Sequence, residues 1–178
     1  MNTLRTLQAA LVGFALLLAG AASADPGIAN AKPKTEAQKA MLKVIDHWRD
    51  TYNNDVDKMI ADTHAKDATV MFNAARVAGH EQFLRLEKAI KAAAPGRMMR
   101  VDRVLFVDDQ TAVVEAVILD KARPDFFSPW IALLTIRDGK IVQDRTYLEP
   151  HRWPGIEVAA PLVTAGGLGD PTAPPPKY

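Results

Sequence analysis

Asp138 and Gly139 limit the possible folds of this chain more than any other feature of the sequence. They separate two runs of β-branched and large apolar residues, "PWIALLTIR" and "KIVQDRTYLE". An Asp-Gly pair supplies the positive φ angles that a two-residue type I′ turn requires. The sequence therefore predicts a β-hairpin in which Arg137 faces Lys140 and the pairing continues in register away from the turn.

This register predicts which side chains share a face of the hairpin, because successive side chains of a strand point to opposite faces. The expected pairs are Ala132 with Arg145, Trp130 with Tyr147 and Ser128 with Glu149 on one face, and Ile131 with Thr146 and Leu133 with Asp144 on the other. A guanidinium, a phenol and a carboxylate along one face of a strand beside the core indicate a pocket.

The rest of the chain divides into helical and strand-like parts. Apolar residues at spacings of three and four predict a helix from Thr35 or Glu36 to about Asn54, a short second helix capped by Asn54 and Asp57, and a third helix that begins at Gly79 or His80 and ends before Pro95. Two short strands around Asn73 and four longer strands beyond residue 96 complete the pattern. This order predicts an α+β domain.

The first 24 residues have the features of a secretory signal peptide. Arg5 precedes an apolar stretch at residues 9–19, and Ala22-Ser23-Ala24 fits a cleavage site before Asp25. An uncleaved anchor is the alternative, but the stretch is shorter than the roughly 18 to 20 residues of a membrane-spanning helix. We expect a periplasmic or secreted protein with no membrane attachment after cleavage, a linker at residues 25–35, and a Pro/Gly-rich tail at residues 154–178.

Charge and composition exclude several classes of partner and site. Removal of Arg5 leaves 21 basic and 21 acidic side chains, a balance that argues against nucleic acid or an anionic membrane as the main partner. The chain has no Cys, so it has no disulfide and no thiol nucleophile. None of His47, His64, His80 and His151 pairs with another at a metal-binding spacing. We therefore expect no metal and no cofactor.

Three segments, in this order, resemble the NTF2-like superfamily: "VIDHWRDTYNNDVDKMIA", "VAGHEQF" and "LTIRDGKIVQDRTYLEP". Within it, residues 36–153 resemble the SnoaL-like group, which includes polyketide cyclases and relatives of ketosteroid isomerase. The resemblance implies a cone in which three N-terminal helices pack on a curved antiparallel sheet of about six strands around a mostly apolar cavity. It also implies a homodimer through the outer face of the sheet. The strands "AVVEAVIL" and "PWIALL" are apolar on both faces, so a second subunit or the tail should cover the outer one.

The resemblance also implies a catalytic carboxylate and a hydrogen-bonding phenol on the last strand. Glu149 matches the acidic position and Tyr147 the aromatic position two residues earlier. We expect Trp48, Tyr52, Trp130 and Arg145 to bind the ligand, and we expect the aromatic surroundings to raise the pKa of Glu149. In the alternative interpretation, Glu149 lies at an exposed rim, Tyr147 is a core phenol, and Arg145 forms a surface ion pair.

Two functions fit these observations. The first is an exported, cofactor-free isomerase, cyclase or hydrolase that acts on a small apolar or aromatic molecule, with Glu149 as base and Tyr147 as hydrogen-bond donor. The second is a non-catalytic periplasmic module that binds a ligand or associates with another protein.

Overall fold

The structure, a computed structural model, describes residues 25–73, 75–149, 152–153 and 155. Four helices and six strands follow one another along the chain: α1 (Pro26–Ala29), α2 (Glu36–Asn54), α3 (Val56–Thr63), β1 (His64–Phe72), β2 (Ala75–Ala78), α4 (His80–Ala93), β3 (Arg97–Phe106), β4 (Thr111–Asp120), β5 (Arg123–Arg137) and β6 (Lys140–Leu148). The predicted signal peptide lies outside the described residues, as does the predicted tail apart from Gly155.

Helix α2 begins at Glu36, as the apolar spacing predicts, and Thr35 caps it. The Thr35 hydroxyl oxygen accepts a hydrogen bond from the backbone N–H of Gln38, which satisfies a free donor of the first turn. The apolar stripe of this helix is buried through Met41, Ile45, Trp48, Thr51 and Tyr52. The predicted start, end and buried face of this helix are therefore confirmed.

The cap predicted for the following helix is wrong. Asp55, rather than Asn54 or Asp57, caps α3, and its carboxylate accepts a hydrogen bond of 3.1 Å from the backbone N–H of Lys58. Asn54 is still the last residue of α2, and Asp57 forms an ion pair of 2.7 Å with Lys88. Because α2 runs one residue further than the capping pair requires, the cap moves to the next acceptor.

The six strands form one sheet in the order β2-β1-β6-β5-β4-β3. All neighbours are antiparallel except β1 and β6, which run parallel, so the expectation of a fully antiparallel sheet is wrong at this one pairing. The main core lies between the helices and one face of the sheet, with Ile45, Leu86, Val101, Ala132 and Leu134 among its most deeply buried members. Fold class and strand number agree with the prediction.

The predicted turn is confirmed, and the predicted register fails a few residues beyond it. Asp138 and Gly139 have φ angles of 50° and 72°, and Arg137 faces Lys140. After Ile141 the register shifts by one residue, because β6 has an extra residue at Val142. From there the pairs are Leu134 with Asp144, Leu133 with Arg145, Ala132 with Thr146, Ile131 with Tyr147 and Trp130 with Leu148.

This bulge exchanges the two faces of β6. Asp144 and Thr146, which were expected on the outer face, are buried at 3% and 2% exposure. Tyr147 is 53% exposed, and Glu149 is also exposed. The prediction that the odd-numbered side chains of this strand face the core therefore holds at Ile141 and is wrong beyond Val142, since a shift of one residue moves every later side chain to the opposite face.

The segment expected to be a linker contains the short helix α1, which packs against β3. A Cβ atom at Gly27 would lie 2.6 Å from the backbone nitrogen of Arg103, so only glycine permits this approach. The Asp25 carboxylate forms an ion pair with the Arg49 guanidinium at 2.8 Å, although the geometry does not meet that of a hydrogen bond. Residues 25–29 are thus fixed to the domain.

In the part of the chain that the structure describes, no helix is long and apolar enough to cross a membrane.

Candidate active site

A small cavity lies between helices α2 to α4 and the inner face of β5 and β6. Its volume is about 20 Å³, which is room for about one water molecule. Most of its walls are aromatic or apolar, and the polar side chains come from three different elements. The lining residues are Trp48, Tyr52, Met59, Phe72, Phe83, Glu87, Trp130, Asp144, Thr146 and Trp153.

Asp144 is a fully enclosed carboxyl group of this cavity, and burial strongly shifts its pKa. Its Oδ1 accepts a hydrogen bond of 2.8 Å from the Thr146 hydroxyl. Burial raises the pKa of Asp144 to about 7, the nearby Glu87 carboxylate adds to the rise, and the Thr146 hydrogen bond opposes it. At neutral pH this carboxyl can therefore both accept and donate a proton.

Two hydrogen-bond donors in the same cavity have no acceptor among the described residues. The Tyr52 hydroxyl and the Trp130 indole N–H are both buried, and neither has a hydrogen-bond partner in the described part of the chain. Burial raises the pKa of Tyr52, so its hydroxyl keeps its proton. Buried polar groups without partners are costly, and these two donors are suited to an oxygen atom of a bound molecule.

An ion pair lies at the back of the cavity. The Arg97 guanidinium donates a hydrogen bond of 2.6 Å to the Glu87 carboxylate, and their side chains are 0% and 4% exposed. The central guanidinium carbon of Arg97 also lies 4.7 Å from the centre of the Tyr52 ring. The pair holds opposite charges in contact, so it brings no net charge to the cavity while it packs against Tyr52.

The structure brings three of the sequence-predicted ligand residues together. Trp48, Tyr52 and Trp130 all line the cavity, and the rings of Trp48 and Trp130 meet edge to face with centroids 5.7 Å apart. Helical spacing places Trp48 and Tyr52 on the same face of α2. The aromatic wall that we expected around Glu149 surrounds Asp144 instead.

The other three predicted residues do not line this cavity. Arg145 is partly buried and faces Leu133 on the outer side of the sheet. Tyr147 and Glu149 line a separate, open groove of about 540 Å³ together with Ile131 and Glu115. The Val142 bulge is the physical reason, because it turns these side chains away from the helices.

The sequence-based prediction missed Asp144, Thr146 and Glu87. A signal for Glu87 was present, since it lies four residues after Phe83 on the buried stripe of its helix. The signal for β6 was weaker: Ile141 and Leu148 are seven residues apart, so a regular strand cannot turn both toward the same core. That odd separation indicates an extra residue between them.

His64 is a buried histidine at the start of β1. Burial lowers its pKa to about 4, and its ring meets Phe83 edge to face. The Thr63 hydroxyl lies 2.9 Å from its Nδ1 atom. Within the described residues, no group of three or more His, Cys, Asp or Glu side chains is placed to hold a metal ion.

Solved structures share this architecture. A proposed SnoaL-like polyketide cyclase from Jannaschia sp. CCS1 matches at a TM-score of 0.58 with 15% identity, over 76% of this chain and 99% of that one. A protein from Catenulispora acidiphila with a ketosteroid isomerase-like fold, in complex with trimethylamine, matches at a TM-score of 0.54 with 20% identity. The match covers 62% of this chain and 88% of that one. A proposed polyketide cyclase from Sinorhizobium meliloti matches at a TM-score of 0.51 with 28% identity, over 58% of this chain and 93% of that one.

Sequence comparison defines the family. No protein of curated function matches the sequence. Residues 44–144 match the SnoaL-like domain, and this segment includes α3, α4, β1 to β5, most of α2 and the inward-facing Asp144. Because the match spans more than half of the sequence and the architecture agrees with it, the chain belongs to the SnoaL-like domain family, with an NTF2-like fold consistent with ligand binding of the cyclase or isomerase kind.

Proposed function

We propose that the protein is a cofactor-free acid–base enzyme of the isomerase or cyclase type that acts on a small, largely apolar molecule inside the cone. The observation that carries this proposal is the burial of Asp144, whose pKa of about 7 suits proton transfer at neutral pH. The apolar and aromatic cavity wall favours an apolar substrate.

The proposed chemistry uses three side chains of the cavity. The ionised Asp144 carboxylate removes a proton from a carbon atom next to a carbonyl group, and the electron pair of that C–H bond moves toward the carbonyl oxygen. The Tyr52 hydroxyl and the Trp130 N–H stabilise the resulting negative charge, since both are buried donors without acceptors in the described chain. In an isomerisation, the negative charge is shared with a conjugated C=C bond and Asp144 returns the proton to the far carbon of that bond. In a cyclisation, the carbanion adds to a second carbonyl carbon of the same molecule, the C=O π bond breaks, and the oxygen takes the proton from Asp144.

Exchange of carbon-bound hydrogen tests the proposal without knowledge of the natural product. Small cyclic ketones are incubated with the protein in deuterium oxide, and NMR follows the loss of the proton next to the carbonyl. We expect Asp144→Asn to lower the exchange rate by about 10² to 10⁴, the usual contribution of a general base. The exposed Asp125→Asn is the matched control and should leave the rate unchanged.

The same assay tests the hypothesis that Glu149 is the base. Glu149 is exposed and does not line the cavity. We therefore expect Glu149→Gln to exchange protons at the wild-type rate. Loss of exchange in Glu149→Gln with retention in Asp144→Asn would contradict the assignment of the base to Asp144.

The size of the cavity favours a second candidate function, a non-catalytic association module. A volume of about 20 Å³ holds no substrate unless a wall moves. The outer face of the sheet exposes Phe127, Ile131 and Tyr147, which is an apolar surface suited to a partner. Under this candidate no ketone exchanges protons in any variant, and the outer face is the functional surface.

We also propose that the protein is exported and cleaved before Asp25. The buried contacts of Asp25 and Gly27 support this boundary, because cleavage there keeps both residues in the mature chain, where they pack on the domain. Intact mass spectrometry of the protein recovered from the periplasm and medium should give a chain that starts at Asp25. A chain that retains residues 1–24 and stays with the membrane would contradict cleavage.

A further inference from the structure

An open groove of about 370 Å³ lies next to the small cavity, at the end of the domain where α4 and β4 end. Its lining includes Gly96, Asp120, Arg123, Phe126, Arg152 and Trp153. Trp153 lines both the groove and the cavity, so its indole separates the two spaces.

Trp153 is placed to act as a movable partition. Its side chain is 5% exposed and meets the Trp130 ring edge to face, with centroids 5.6 Å apart. All other residues that line the cavity belong to helices or strands, whereas Trp153 follows the last strand. Displacement of this indole therefore breaks no helix or sheet hydrogen bond, and it joins the cavity to the groove.

Two arginine side chains, Arg123 and Arg152, line the groove and bring positive charge to it. Asp120 neutralises Arg123, since its Oδ2 accepts a hydrogen bond of 2.8 Å from Arg123 Nε. Arg152 is exposed, and its guanidinium donates a hydrogen bond of 3.2 Å to a neutral acceptor, the Phe127 carbonyl oxygen. Each guanidinium also lies near a phenylalanine ring, at 4.4 Å for Arg123 and 5.7 Å for Arg152.

We propose that this groove binds the carboxylate of an aromatic acid whose ring takes the place of the Trp153 indole against Trp130. Arginine recognises a carboxylate through charge-assisted, often paired hydrogen bonds. The Trp153 indole shows the size and shape of ring that fits against Trp130, a planar group of one or two fused rings. This inference rests on the proposed function in one respect, which is that the ring of the ligand would lie at the Asp144 cavity.

Binding of a charged and a neutral probe of the same shape tests the proposal. Indole-3-carboxylate and indole-3-carboxamide are titrated into the protein by calorimetry, and ¹⁵N NMR follows the indole N–H signals of its three tryptophans. We expect the carboxylate to bind about tenfold more tightly than the carboxamide, as a charge-assisted hydrogen bond requires. We also expect the signals of Trp130 and Trp153 to shift on binding.

Arg152→Gln should remove the preference for the carboxylate, and the fold should tolerate it because Arg152 is exposed. The matched control is Arg137→Gln, an exposed arginine beside the β5–β6 turn, which should keep the tenfold preference. Equal affinity for the two probes, an unchanged preference in Arg152→Gln, or absence of any shift at Trp130 would overturn the proposal. Asp144→Asn should still bind the carboxylate, so failure of the proposed chemistry is distinguishable from failure of this site.

Discussion

Asp144 links the candidate active site to the stability of the protein. Its pKa is raised from 3.8 to about 7 by burial, so the folded state binds its proton more tightly than the unfolded state does. The stabilisation that this proton gives is complete below pH 3.8 and is lost as the pH rises through 7. Between pH 3.8 and pH 7, the unfolding free energy of the wild-type protein should fall by roughly 4 kcal/mol more than that of Asp144→Asn.

Urea unfolding of the wild type and of Asp144→Asn between pH 4 and pH 8 measures this difference. Comparison with the variant is needed because His64 acts in the opposite direction. Its lowered pKa gives stability that is present above pH 6.5 and lost as the pH falls toward 4. The His64 contribution is common to both proteins and cancels. Parallel stability curves for the two proteins would show that Asp144 has an ordinary pKa.

Strand β6 shows what the sequence could and could not predict at the level of an element. The turn at Asp138 and Gly139 was predictable, because a type I′ turn has positive φ angles at both central residues and an Asp-Gly pair adopts them readily. The bulge at Val142 was harder to predict, because the residues beyond it carry polar side chains on both faces and only the odd separation of Ile141 and Leu148 favours the shifted register. Helix α2 was predictable because its cap and its apolar stripe agree.

Strand β3 forms one edge of the sheet, and Asn53 protects it from pairing with another chain. The Asn53 amide donates to the Met99 carbonyl at 2.9 Å, and its oxygen accepts from the Met99 N–H at 2.6 Å. Asn53→Ala leaves both Met99 backbone groups without these side-chain partners at the edge strand, so we expect a loss of about 1 to 3 kcal/mol in unfolding free energy and faster aggregation.

Its matched control is Asn54→Ala. Among the described residues, the Asn54 side chain bonds only to Asp50 on the same exposed helix surface, so this change should cost under about 1 kcal/mol. Thermal unfolding and light scattering measure both effects. Equal stability and equal aggregation of the two variants would contradict an edge-protecting role for Asn53.

The site as a whole was less predictable than the fold, because its parts come from distant segments. Asp144 on β6, Glu87 on α4 and Tyr52 on α2 meet only after the helices pack on the sheet. Local patterns place each residue on an element, but they do not fix which elements face each other across a space of one water molecule. Trp153 was harder still, since no periodicity extends beyond the last strand.

The apolar outer face of the sheet predicts a homodimer. Phe127, Ile131 and Tyr147 are between 44% and 53% exposed on neighbouring strands. We expect Ile131→Glu to convert the dimer to a monomer in light scattering with size exclusion, because it places a charge in an apolar interface. Val107→Glu, at an exposed apolar residue just beyond β3, is the control and should remain dimeric. A wild-type protein that is monomeric at millimolar concentration would contradict this prediction.

The central claim is that Asp144 titrates near neutral pH inside the cone. The most direct test is ¹³C NMR of the aspartate carboxyl carbons, with Asp144 assigned by the loss of its signal in Asp144→Asn. We predict one carboxyl signal with a midpoint of about pH 7 that is absent from the variant. A midpoint near 4 for Asp144 would show that this carboxylate is solvated, and the acid–base function proposed for the cavity would be wrong.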